Sequence, residues 1–120
     1  MFTDDDIIHT YTRREAIADG VLVDVTGVAR EAGFRIPVAI TAGVMAEYLS
    51  DLSGEERDAK LSRFLSILSE IGRSNPDSSR VVVFVLNRDA TPPKLLELIV
   101  SLGPDDNGDA CITVMFPHED

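Results

Sequence analysis

The stretch LLELIVSLGPDDNGDACITVMF, residues 95–116, decides the fold. Its opening letters fit two periods at once. Leu95, Leu98, Ile99 and Leu102 recur at helical spacing, whereas Leu96, Leu98, Val100 and Leu102 alternate along one face of a strand. The turn that follows separates the two readings. A three-residue loop, Asp106-Asn107-Gly108, with its glycine in the left-handed region, is a common hairpin connection. It places Asp105 opposite Asp109, which sets Leu102 against Ile112, Val100 against Val114 and Leu98 against Phe116. Apolar side chains then meet on one face, with Glu97 and Ser101 on the other. A two-residue Asn-Gly loop would slip the register by one and oppose the leucines with Thr113. A strand, a turn and a strand are expected.

Working upstream, Val81 to Leu86 is a continuous β-branched and aromatic run and reads as a third strand. Between it and Leu95 lies RDATPPK, whose Asp89–Lys94 portion reads as a connector held extended by its prolines. Before that comes the best helix of the chain. Ser53-Gly-Glu-Glu56 has capping-box spacing, and Leu61, Phe64, Leu65, Leu68 and Ile71 form one apolar stripe. Glu56 precedes Lys60 by four residues, the spacing of a surface ion pair. Gly72 and Asn75-Pro76 stop the helix.

The first half is finer grained. Thr12 and Glu15 have capping-box spacing for a short helix that Gly20 stops. Val21 to Val25 reads as a short extended segment. Thr26 caps the helix GVAREA, and Gly33 supplies its left-handed end. Pro37 holds Ile36 in an extended link. Thr41 caps a helix carrying Met45, Tyr48, Leu49 and Leu52 at i, i+3, i+4 and i+7. The expected fold is α+β: short N-terminal helices and one longer amphipathic helix packed on a three-stranded antiparallel β-meander. One domain, 1–120, is expected, with a loose acidic lead over 1–10, a mainly helical part over 12–73 and the meander over 80–117.

At 120 residues the chain can bury one modest core. No apolar run reaches the roughly 18–20 residues that cross a bilayer, and the acidic start MFTDDDIIHT is unlike a secretory signal. The single cysteine, Cys111, excludes an internal disulfide and suits a reducing compartment, so a cytoplasmic location is expected. Twenty-one carboxylates against eleven basic residues give a net charge of −10. That balance disfavours direct binding to nucleic acid or to an anionic membrane, which takes clustered Lys and Arg. It fits solubility as a monomer or homodimer, or attraction to a basic partner.

Chemistry-bearing motifs are sparse. His9 and His118 both lie within ten residues of an end of the sequence, a poor place for a preorganised base. Cys111 sits in an alternating strand without a CxxC partner. Asp105, Asn107 and Asp109 alternate like calcium-loop ligands, but the glycine comes early and Phe116 stands where the bidentate glutamate belongs. Asp24 lies among apolar neighbours and reads as a cap or as a partner of Arg30 or Arg35. No glycine-rich phosphate loop, nucleophile elbow or zinc ligand set is present. No cofactor and no catalytic residue is expected. The candidate binding surface is acidic: Asp4, Asp5, Asp6, Asp105, Asp106, Asp109, Glu119 and Asp120.

The segment YTRREAIADGVLVDVTGVAREAGFRIPVAIT, residues 11–41, together with the GPDDNG turn and the closing VMFPHED, resembles an uncharacterised family of small bacterial proteins encoded on plasmids and other mobile elements. Where that family has a tryptophan after its "L-T" step, Val44 and Met45 stand here. The resemblance implies no catalytic residues. It does imply a context in which small acidic proteins block host defences, as anti-CRISPR proteins do. The expectation that follows is a non-catalytic inhibitor that mimics nucleic acid or blocks a groove on a basic host protein or nucleoprotein complex. The alternative is a plasmid-maintenance or antitoxin-like interaction module, as a monomer or a dimer.

Overall fold

A computed structural model describes residues 11–120 of the chain, so the acidic lead over 1–10 lies outside the described residues. The helices are α1 (Arg13–Ala18), α2 (Thr26–Glu31), α3 (Ala42–Leu49) and α4 (Gly54–Ser74). The strands are β1 (Leu22–Asp24), β2 (Val38–Thr41), β3 (Arg80–Asn87), β4 (Lys94–Pro104) and β5 (Ala110–Met115), with a 3-10 turn at Pro117–Glu119.

The deciding stretch folds as its turn chemistry dictates. Leu102 lies opposite Ile112 and Val100 opposite Val114, and β5 ends at Met115, one residue short of the expected Leu98–Phe116 pair. The Asp105 N–H donates to the Asp109 carbonyl at 2.7 Å and Gly108 takes φ +84°.

The expected three-stranded sheet is corrected. Among the described residues the sheet has five strands in the order β1-β2-β5-β4-β3, and it is mixed, because β2 runs parallel to β5 while the other neighbours are antiparallel. The stretch over 12–73 therefore contributes two strands as well as helices. The reason is burial on both faces. All four residues of β2 are buried, so VAIT shows no alternation and resembles a mere link after Pro37.

On the inner face, α4 lays Leu61, Phe64, Leu65 and Leu68 against Val83, Leu96, Leu98 and Val114 of the sheet and Ala29, Val44 and Leu49 of the shorter helices. Each large side chain buried there stabilises by about 1.5–3 kcal/mol, so this layer is the main source of the fold's stability. Tyr48 and Phe64 pack with ring centroids 4.8 Å apart. On the outer face, α1 covers only the β1–β5 side. The Arg13 guanidinium donates there to Thr113 Oγ1 at 2.6 Å and to the Ile112 carbonyl at 2.7 Å.

The caps divide into realised and unrealised. Thr12 Oγ1 accepts from the Glu15 N–H at 3.0 Å, and Thr41 Oγ1 accepts from Val44 N–H at 3.3 Å. Thr26 is no cap: it is the first residue of α2, and its hydroxyl donates to Asp24 Oδ1 at 2.5 Å and accepts from the Val38 N–H at 3.2 Å. Asp24 is thus a local turn acceptor and takes no arginine partner among the described residues. Ser53 precedes α4 without a side-chain bond, since Gly54 at φ +59° turns the chain differently from a capping box.

Candidate functional site

Of the five singled-out acidic residues that are described, four are bonded to groups of the fold. Asp105 Oδ1 accepts from the N–H groups of Asn107 and Asp109, at 2.8 and 2.9 Å, and holds the hairpin turn. Asp106 reaches across the chain to the start of α1: Oδ1 accepts from Arg13 N–H at 2.7 Å and Oδ2 from Arg14 N–H at 3.0 Å. Those bonds, Arg14's first and then Arg13's, hold its carboxyl below the ordinary carboxylate value. Glu119 Oε1 accepts from Thr41 Oγ1 and from Phe116 N–H, both at 2.8 Å. Asp120 pairs with Arg80, and that partner lowers its carboxyl. Asp109 is exposed, while Asp4, Asp5 and Asp6 lie outside the described residues. Asp105, Asp106 and Glu119 do line one depression on the outer face, but Arg13 and Cys111 sit in it with them.

The remaining candidates are structural. Burial pushes the Cys111 thiol up from its ordinary value. His118 stacks on Phe116 with centroids 5.4 Å apart. Among the described residues, no three His, Cys, Asp or Glu side chains converge as a metal site would need.

Three further features come from the fold as a whole. The first is a buried polar cluster. Lys60, expected as a surface partner of Glu56, is buried: its Nζ donates to Asn87 Oδ1 at 2.5 Å, pairs with Asp89 Oδ2 at 2.8 Å and lies 4.2 Å from the Tyr48 ring centroid. Asn87 Nδ2 in turn donates to the Glu47 carbonyl at 3.0 Å. The spacing of Lys60, Phe64 and Leu68 on one row of α4 was the available signal.

The second is the free edge of the sheet. Among the described residues β3 is the last strand, and Ser79 lies opposite Leu102, whose N–H donates to the Ser79 carbonyl at 2.7 Å. Alternation along an antiparallel ladder then turns the backbone groups of Val81, Val83 and Val85 toward β4. Those of Arg80, Val82, Phe84 and Leu86 point to the open edge. The side chains of Val82, Phe84 and Leu86 stand on the outer face, with Phe84 64% exposed, and Leu95 on β4 stands beside Leu86 with 61% exposed. Along β3, RVVVFVLN, there is no carboxylate at all.

The third is basic. Arg30, Arg35 and Arg73 meet at one end of the helical layer, around Gly33 and Phe34.

Compared with known proteins, the whole chain, residues 1–120, matches the model of DUF6573, a family of unknown function. The chain belongs to that family. No curated protein and no solved structure matches it. For this DUF6573 member the functional argument therefore rests on its own surfaces, among them the β3 edge with exposed Val82, Phe84 and Leu86.

Proposed function

We propose that this DUF6573 protein is a non-catalytic interaction module that pairs with a second copy of itself through β3. The observation that carries the reading is the coincidence, on one edge strand, of outward backbone donors and acceptors with exposed Val82, Phe84 and Leu86. Natural edge strands are usually guarded by lysines, prolines, bulges or inward charges. Residues 81–86 carry none of these.

A two-fold axis normal to the sheet brings two such edges together antiparallel, and it matches outward groups only with outward groups. An axis at Val83 sets Val82 against the partner's Phe84. An axis at Phe84 would instead oppose Arg80 with the partner's Arg88, so the first register is favoured. The otherwise acidic surface opposes association at long range, and salt screens that repulsion within about 8 Å at physiological ionic strength. Self-association is therefore expected to strengthen from low to moderate salt.

The second reading, an acidic inhibitor of a basic host complex, is favoured by the net charge of −10 and by exposed Asp109. It makes the opposite forecast, binding that weakens steeply with salt. Sedimentation velocity across protein concentration, at low and moderate salt, tests the first reading. A concentration-dependent dimer, lost in a Val82→Lys/Phe84→Lys variant with unchanged thermal stability, is the expected result. A strict monomer at roughly 100 μM, a concentration above the micromolar range of weak specific contacts, rejects it.

A further inference from the structure

The helical layer stops short of the hairpin end of the sheet, and the inner face opens there into a groove of about 310 Å³. Its floor is apolar, formed by Phe34, Val81, Val100, Leu102 and Ile112. These residues continue the hydrophobic core outward, where Leu102 is 42% exposed. The mouth is the reverse in character. Arg35 and Arg73 rim the groove, and an adjoining recess shares both of them and adds Arg30.

Three of the chain's eleven basic residues thus gather at one mouth of a protein carrying −10. Of the others, Lys60 pairs with Asp89, Arg80 with Asp120 and Lys94 with Glu47, and Arg13 anchors α1, while Arg14, Arg57, Arg63 and Arg88 make no ion pair among the described residues and line neither the groove nor the recess. None of Arg30, Arg35 and Arg73 makes an ion pair among the described residues. Gly33 makes the arrangement possible. A Cβ built on it would stand 2.5 Å from Arg73 Nη2 and 2.9 Å from Ser69 Oγ, so only a glycine lets that guanidinium lie over the loop.

The geometry points to a binding site for a small amphipathic anion: a carboxylate or phosphate head held by the guanidiniums, and an alkyl or aryl body on the apolar floor. The volume suits it, since ligand pockets begin near roughly 300 Å³. Planar guanidiniums present paired donors that match either oxyanion. The net negative charge does not forbid an anion here. At physiological salt, charges beyond about 8 Å are largely screened, and no described carboxylate lines the groove or the adjoining recess.

The test uses the full chain, isotope-labelled, titrated with octanoate and with 1-naphthyl phosphate and followed by amide chemical shifts. Saturable shifts are expected at Phe34, Val81, Val100, Leu102 and Ile112 with at least one of the two probes, and whichever binds more tightly identifies the head group. Octanamide, acetate and inorganic phosphate each lack one half of the recognition and are expected to bind at least tenfold more weakly. An Arg35→Gln/Arg73→Gln variant, altered only at exposed side chains, is expected to lose at least tenfold in affinity while keeping its melting temperature. The proposal is overturned if neither probe gives saturable shifts in the groove up to millimolar concentration. It is equally overturned if octanamide or the bare anions bind as well as the probes, or if the arginine variant binds unchanged.

Discussion

Replacing Lys60 with methionine separates a buried clamp from a surface ion pair. The ammonium makes three contacts of unequal worth. Its 2.5 Å bond to Asn87 Oδ1 is between buried groups and charge-assisted, which is worth about 1.5–3 kcal/mol. Its position over Tyr48 adds about 0.5–1 kcal/mol. Its pair with Asp89 adds little, about 0–1 kcal/mol, because that carboxylate is 43% exposed and water can take over. Methionine recovers part of this by filling the same volume without the cost of holding a cation inside. The net loss expected is about 2 kcal/mol, and most of it falls on Asn87, which is left with an under-satisfied oxygen.

Urea unfolding measures this directly, with an unchanged slope showing that the unfolded state is not altered. The second arm is Asn87→Leu, alone and combined with Lys60→Met. Removing both partners leaves no orphaned polar group between them. The double variant is therefore expected to be more stable than the sum of the single losses by about 1 kcal/mol or more. Additive losses, or a Lys60→Met protein within about 0.5 kcal/mol of the natural chain, would refute the clamp and return Lys60 to the solvated role its spacing from Glu56 suggests.

Other outcomes follow from single contacts. Asp106 has its carboxyl held below the ordinary value by the α1 N–H groups, so its support is complete at neutral pH and is lost as pH falls below about 4. Hydrogen exchange at the amides of Arg13 and Arg14 should accelerate there beyond its intrinsic pH dependence, and should already be fast near neutrality in Asp106→Ala; equal protection in both proteins would count against the cap. Gly33→Ala places a side chain at φ +112° against Arg73 and Ser69, and a loss of about 1–2 kcal/mol in urea unfolding is expected. A change under about 0.3 kcal/mol would show that the loop relaxes freely. Cys111 is buried with a raised thiol, so its modification by a disulfide reagent should track the unfolded fraction across a urea titration. Prompt reaction in the absence of urea would contradict that burial.

What was legible in the sequence was local. The hairpin register over 95–116 followed from one turn and three facing pairs, because the turn and the pairs belong to one short, continuous stretch of chain. The α4 stripe was legible for the same reason. β2 was not, since VAIT is buried on both faces and its parallel partner β5 lies about seventy residues away along the chain. Nothing local distinguishes such a segment from a link. Lys60 shows the same limit on a smaller scale: Glu56 is four residues away and visible in the helix, while Asn87, the partner it takes, is twenty-seven residues on.

The acids make the point with consequences for function. A count of carboxylates describes the far field, but each carboxylate's availability depends on which N–H groups the fold brings to it. Asp105 and Glu119 are held by backbone amides, Asp106 caps a helix that begins 93 residues earlier, and Asp120 holds Arg80. Besides its exposed acids the fold leaves an apolar strand edge on the outer face, and on the inner one two arginines at an apolar groove with a third in the adjoining recess. In a chain with a surplus of carboxylates, pairing those arginines internally would have been easy. That they stand together without acidic partners among the described residues is the reason to seek the anion from outside.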